Sequence, residues 1–163
     1  MATSTNKKVQ IRRFEREDIA AFVNPVTYIA AGSLEYLTIH GTIGHADLRE
    51  VKMVEFVRDF SHSTEEKRAF LTRPKLEGLW VRFRFRDADV LEAILPNDLL
   101  QTEVHGFSGT PPDFSGNRQK IFIPRAALQA VQVLGVIGTP LKPRRPAARK
   151  APAPGQIDLF DKS

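Results

Sequence analysis

The strict alternation of apolar and charged residues over positions 81–86, within the apolar-rich run 79–85, places the tightest constraint on the fold of this chain. Val81, Phe83 and Phe85 occupy every second position, and arginines fill the positions between them. A period of two is typical of a β-strand with one buried and one solvated face, because successive side chains of a strand point to opposite sides. This segment is therefore predicted to be a strand that covers a β-rich core.

Short strands separated by turn residues are predicted along most of the chain. The runs rich in β-branched and aromatic residues are 9–14, 19–23, 34–39, 51–57, 79–85, 90–95, 120–123 and 130–136. Ser63 and Glu66 have the form of a capping box, which predicts a short helix within 61–76, ending before Pro74. Residues 124–128 are predicted to form a single helical turn before the last strand.

Two parts of the chain have similar patterns, which predicts an internal duplication. The segment FEREDIAAFVNP (14–25) aligns with FRDADVLEAILP (85–96) at a spacing of 71 residues, and EVKMVEFV (50–57) aligns with ALQAVQVL (127–134) at a spacing of 77. Four strands with a helical turn before the last one resemble the small SH3-like and Sm-like β-barrels. The expected fold is mainly β, with two such units at 1–60 and 77–138 joined by the linker helix of 61–76.

The basic charge of the chain is concentrated after these units. The net charge is +5, yet residues 1–138 hold 18 basic and 17 acidic side chains, while residues 139–155 hold five basic and no acidic ones. Five prolines are spread through the same 139–155 segment. Because proline fixes φ and removes a backbone donor, this segment is predicted to be an extended, disordered linker.

The linker is followed by the sequence GQIDLFDKS, which places three apolar residues in an otherwise polar tail. Residues 156–160 read Gln-Ile-Asp-Leu-Phe. This pentapeptide closely resembles the motif, commonly Gln-Leu-Ser/Asp-Leu-Phe, by which bacterial replication and repair proteins dock on the β sliding clamp of DNA polymerase III. The resemblance implies that Gln156, Ile157, Asp158, Leu159 and Phe160 bind the clamp, and that 156–163 is a terminal docking peptide. The alternative is that Leu159 and Phe160 pack back onto the β units.

A second hypothesis assigns the chain to single-stranded nucleic acid. The predicted strand at 79–85 and the turn after it line up three arginines, and guanidinium groups bind phosphate. The candidate residues are Arg82, Arg84 and Arg86, with Arg144, Arg145, Arg149 and Lys150 of the basic tail. The simpler interpretation of the three arginines is a solvated strand face with acidic residues opposite them.

Catalytic patterns are weak, and the sequence therefore predicts a non-enzymatic protein without cofactor or metal. The chain has no cysteine, so thiol chemistry and thiolate metal sites are excluded. His40, His45 and Asp47 are close in sequence, but histidines in turns are more often solvated than bound to metal. The N-terminal residues lack the apolar core of a signal peptide, which predicts a cytoplasmic, bacterial protein with no membrane partner. The oligomeric state is left open.

Overall fold

A computed structural model describes residues 5–60, 66–98, 100 and 103–138. The strands of this part are β1 (Lys7–Arg13), β2 (Ile19–Val23), β3 (Ile29–Ala30), β4 (Ser33–Thr38), β5 (Ile43–Asp47), β6 (Val51–Val57), β7 (Gly78–Phe85), β8 (Val90–Leu95), β9 (Gly106–Gly109), β10 (Arg118–Pro124) and β11 (Leu128–Ile137). A 3₁₀ turn spans Arg125–Ala127, where the sequence predicts a single helical turn. The prediction of a mainly β fold is confirmed.

The strands form two antiparallel sheets. The first has the order β3-β4-β2-β1-β6-β10-β9, with β5 added to the other side of β4, and the second has the order β11-β7-β8. A bridge between Ile94 and Thr110 connects the sheets, because it places the end of β8 beside the end of β9. Strands β9 and β10 lie within 77–138, the predicted second unit, but β10 pairs with both β9 and β6 of the first unit.

Two apolar cores lie on opposite sides of β6 and β10. Val54 of β6 and Phe122 of β10 belong to the first core with β1, β2 and β4. Met53 and Ile121, their neighbours in sequence, belong to the second core with β7 and β8. Successive side chains of a strand point to opposite faces, so a strand covered on both sides reads as a continuous apolar run. This explains why β6 lacks the alternation that β7 shows.

The alternating segment behaves as the period of two predicts. Val81, Phe83 and Phe85 are buried, and Arg82 and Arg84 are exposed on the other face of β7. We expect the large apolar side chains of this strand to contribute more to the free energy of folding than its arginines, because burial of apolar surface is the dominant favourable contribution.

The same arrangement of three strands occurs twice. The orders β2-β1-β6 and β8-β7-β11 each consist of a hairpin and a later strand that pairs antiparallel with the first strand of the hairpin. Both also have a bulge where the third strand begins. In the first sheet Lys52 is the extra residue between Val51 and Met53, and in the second sheet Gln129 is the extra residue between Leu128 and Ala130.

The helix predicted within 61–76 is not seen in the described part of that segment. Residues 66–76 form an irregular connection, and 61–65 lie outside the described residues. Arg68 O accepts a hydrogen bond from Glu92 N at 2.8 Å, and Phe70 N donates to the Glu92 carboxylate at 3.0 Å. These contacts use backbone groups that a helix would need, so pairing with β8 overrides the local capping signal. Across the described ranges no helix has the length and apolar content needed to cross a bilayer.

Candidate functional site

The sequence predicts two groups of binding residues, and the structure describes one of them. Gln156, Ile157, Asp158, Leu159 and Phe160 lie outside the described residues, as do the basic side chains of the tail. Arg82, Arg84 and Arg86 are described. The candidate site in the folded part is therefore the outer face of β7, with the turn that follows it.

Arg82 is held by a buried carboxylate on the neighbouring strand. Its guanidinium donates to Glu92 at 3.0 Å, and Glu92 is 4% exposed. Glu92 also accepts hydrogen bonds from Trp80 Nε1 and Phe70 N, each at 3.0 Å. Because charge-assisted bonds to a buried carboxylate are strong, Arg82 is fixed as part of the fold. This arrangement matches the simpler interpretation of a strand face with an acid opposite.

The other two arginines have different surroundings. The Arg84 side chain is exposed and, unlike Arg82, forms no ion pair with the residues that the structure describes. The Arg86 guanidinium lies over the Phe14 ring, 3.9 Å from its centre, and donates to Ala126 O at 3.3 Å. Of the three, only Arg84 is placed to bind an external phosphate without giving up a contact within the chain.

A polar cleft of about 680 Å³ lies where the β1–β2 and β7–β8 turns meet. Lys52 joins the two sides, because its ammonium group contacts Asp87 at 2.7 Å and Asp89 at 2.9 Å. Burial opposes the charge of Lys52, but these two carboxylates raise its pKa. The charged residues that line the cleft are Arg13, Glu15, Arg16, Glu50, Lys52, Arg86 and Asp87. Because positive and negative side chains are interspersed around it, the cleft does not present the concentrated positive charge that would bind an anion.

A buried ion-pair network joins β6 to β10 and to the loop before β10, and no sequence pattern predicted it. Arg118, 4% exposed, donates to Glu55 at 3.0 Å and to Asp113 at 2.7 Å. Glu55 also accepts from Arg12 at 3.1 Å. Burial raises the pKa of Glu55, and the positive charges of Arg12 and Arg118 act against that increase. These side chains satisfy one another's hydrogen-bonding and charge requirements within the protein, so the network has a structural role.

The three residues that could suggest a metal site are not brought together as ligands. His45 Nε2 lies 3.2 Å from Glu35, and the Asp47 carboxylate accepts from the Arg49 guanidinium at 2.6 Å. The hydrogen bonds from Arg49 lower the pKa of Asp47 to about 2. Within the described part of the chain, no cluster of three or more such side chains has a geometry that could hold a metal ion.

Comparison with known proteins identifies the chain at the level of a family. The model of a family of unknown function, DUF6982, matches residues 5–135. The chain belongs to DUF6982. Neither a curated protein nor a solved structure matches it. The DUF6982 match includes both sheets and almost all of β11, whereas residues 139–163 lie beyond it.

An exposed apolar groove of about 320 Å³ runs beside β11 within the DUF6982 part of the chain. Leu79, Phe107, Val131 and Val133 line it, and the Arg125 guanidinium lies 4.7 Å from the centre of the Phe107 ring. Val131 and Val133 are 41% and 59% exposed. The sequence signal that could have indicated this surface is the absence of any charged residue over 126–141.

Proposed function

We propose that this protein is a non-enzymatic adaptor that docks on the bacterial β sliding clamp through residues 156–160 and acts near DNA replication or repair. The observation that carries the proposal is the pentapeptide Gln-Ile-Asp-Leu-Phe after a proline-rich, basic segment. From average residue usage, a match to Gln-[Leu/Ile]-x-Leu-Phe is expected by chance in fewer than about one in 100 chains of this length.

Four residues of the pentapeptide have a stated role in the proposed contact. Gln156 hydrogen-bonds at the rim of a pocket on the clamp, Ile157 provides an aliphatic contact, and Leu159 and Phe160 fill an apolar cleft. Burial of the last two side chains contributes about 3–6 kcal/mol. Ordering the peptide offsets part of that gain, so the expected dissociation constant is micromolar.

The composition of the linker supports a tethered peptide. At about 3.1 Å per residue for a proline-rich chain, residues 139–155 can span roughly 50 Å. Such a spacer holds the peptide away from the sheets while keeping the two parts together. The two sheets would then be brought to the clamp by the tethered peptide. The basic side chains of the linker would favour proximity to DNA.

The packing of the two described cores supports a pentapeptide that is free to bind a partner. The two cores are filled by residues between Val9 and Leu128. In the described ranges, every buried side-chain nitrogen and oxygen has a hydrogen-bond partner. Neither core therefore needs Leu159 or Phe160 to complete it.

Replacement of both anchors is the test of this proposal. The full-length Leu159→Ala/Phe160→Ala variant is expected to bind purified bacterial clamp at least about 100-fold more weakly than the wild type, because each alanine removes a buried apolar anchor. Surface plasmon resonance on immobilised clamp measures the change, and thermal unfolding should be the same for both proteins. The matched control is Asp161→Ala/Lys162→Ala, which alters the same tail outside the pentapeptide and should retain binding.

Equal binding by the wild type and the double variant would overturn the proposal, and no clamp binding by either protein would favour single-stranded nucleic acid as the partner. In that case affinity for a single-stranded oligonucleotide should fall steeply with salt and survive deletion of residues 156–163. The described contacts support this alternative less well, because Arg82 and Arg86 already have partners within the chain.

We also propose that the two three-stranded units descend from one duplicated β unit of the SH3-like or Sm-like kind. The repeated strand order and the equivalent bulges support the proposal. The bulge residues Lys52 and Gln129 are 77 residues apart, which is the spacing of the sequence alignment. The pairing of β10 with β6 means that the second unit shares part of its sheet with the first.

A further inference from the structure

Strand β11 is the longest strand described and has a strand neighbour on one side only. It pairs with β7 over Leu128–Ile137, and no other described strand pairs with it. Strand β5, at the edge of the first sheet beside β4, has only five residues, half the length of β11, and carries His45 and Asp47. Proteins usually protect exposed edges by making them short or by placing charges and prolines on them. Strand β5 follows this rule, whereas β11 has neither a charge nor a proline.

The exposed side chains of β11 are apolar where a protected edge would be charged. Val131, Val133 and Val136 are 41%, 59% and 61% exposed. Val131 pairs with Phe83 and Val133 with Val81, so both valines lie on the face of the sheet that contains the second core. Together with Leu79 and Phe107 they form the apolar groove described above.

We propose that β11 pairs antiparallel with β11 of a second copy of this chain, on a two-fold axis at Gln132. The order of the resulting six-stranded sheet is β8-β7-β11 in one copy, followed by β11-β7-β8 in the other. An interface of this kind is self-complementary, since the same strand provides both sides.

The two bulges in β11 and the positions of its exposed valines together favour this register. Pairing with β7 is regular from Ala130 to Val133 and shifts on either side of that segment. A two-fold axis at Gln132 places Val131 of each copy directly opposite Val133 of the other. Directly opposed β-branched residues have Cβ atoms about 4.5–5.5 Å apart and stabilise a strand pair. Both valines lose part of their exposure to water in this arrangement.

The sequence favours a second copy, and not the tail of the same chain, as the strand that pairs with the free edge of β11. In a symmetric pair every charge on the strand would face a like charge on a nearby symmetry-related residue, and residues 126–141 have none. Residues 139–155 are a poor partner strand because their five prolines cannot donate to a ladder. The uncharged edge therefore suits self-pairing.

Single cysteines test the axis directly, because the chain has no cysteine of its own. In the full-length Gln132→Cys variant the two introduced residues face each other with Cα atoms about 4.5–5.5 Å apart, within the range of a disulfide. Mild oxidation with copper phenanthroline should convert most of the protein to a covalent dimer. Ala130→Cys is the matched control: it lies on the same strand face, but its two copies are about 13 Å apart in this register, too far for a disulfide.

Charged substitutions test the interface without crosslinking. Sedimentation equilibrium should show a dimer for the wild type and at least a 100-fold higher dissociation constant for Val131→Lys/Val133→Lys. The control Val26→Lys/Val104→Lys alters two valines that are 87% and 82% exposed, and it should remain dimeric.

A wild-type monomer at all soluble concentrations would overturn the proposal. Protection from hydrogen exchange of the β11 amides that point away from β7 would, in that monomer, identify the chain's own tail as the occupant. A dimer that Val131→Lys/Val133→Lys leaves intact would also overturn the proposal.

Discussion

Replacement of Arg118 with methionine is expected to lower the free energy of unfolding by about 3–5 kcal/mol, because it leaves buried carboxylates without their cation. Asp113 would lose both hydrogen bonds from the guanidinium, at 2.7 and 3.0 Å, and Glu55 would keep only its contact with Arg12. Methionine fills a similar volume, so the loss reports on charge and hydrogen bonding more than on a cavity. Urea unfolding followed by tryptophan fluorescence measures it.

The effect of Arg118→Met should also depend on pH. Burial raises the pKa of Glu55, and loss of the Arg118 charge raises it further. A native state that holds a proton more tightly than the unfolded state becomes more stable as pH falls through the range between the two pKa values. The deficit relative to the wild type should therefore be smaller at about pH 5 than at about pH 8.

Arg16→Met is the matched control for Arg118→Met. Arg16 contacts Glu50 at 3.5 Å, and its side chain is 60% exposed. Exposed ion pairs contribute little, so this variant should unfold close to the wild type at both pH values. If the two arginine variants were equally stable, the buried network would not be a stabilising element.

Gly106→Ala is the second substitution with a large expected effect. A Cβ atom at this position would lie 2.2 Å from Ile123 O and 2.8 Å from the Phe122 ring. Ile123 O belongs to β10, directly beside β9, so the clash is with backbone that cannot rotate away. We expect a loss of about 3 kcal/mol, the upper part of the range for overpacked sites. Denaturant unfolding again measures the change.

Gly135→Ala tests whether steric contact is the cause. Gly135 also lies in a strand, but a Cβ atom there would meet nothing within 4 Å. Alanine reduces the freedom of the unfolded chain, so this variant should be neutral or more stable by about 0.4–1 kcal/mol. Similar losses in both glycine variants would contradict the close packing of β9 against β10.

Local patterns predict the strands well where one face is buried. The alternation in β7 and the short, mainly apolar runs in β2 and β8 locate those strands, and their bounds agree closely with the structure. Strands β3, β5 and β9 were not predicted, because the first has two residues and the others, IGHAD and GFSG, contain glycine and few β-branched residues. Their positions are determined by pairing with neighbours that are distant in sequence.

The same distinction applies to the candidate sites. The pairing of Arg82 with Glu92 could be anticipated because both lie on adjacent strands of one hairpin. The network of Arg118 with Glu55 joins residues 63 positions apart, and nothing in either local sequence indicates it. The uncharged stretch that includes β11 is visible in the sequence, but its exposure depends on which strand occupies the edge of the sheet.

The position of β6 between β1 and β10 has a consequence for how the chain reaches its native state. Its pairing with β1 joins residues of the first 60, whereas its pairing with β10 must wait until residues 118–122 are available. During synthesis, the edge of β6 that pairs with β10 stays unpaired over that interval, and the first core lacks Phe122. Contacts between distant residues slow folding and prolong the exposure of unpaired strands. We therefore expect nascent chains that stop before β10 to be the forms of this protein most prone to aggregation and most dependent on chaperones.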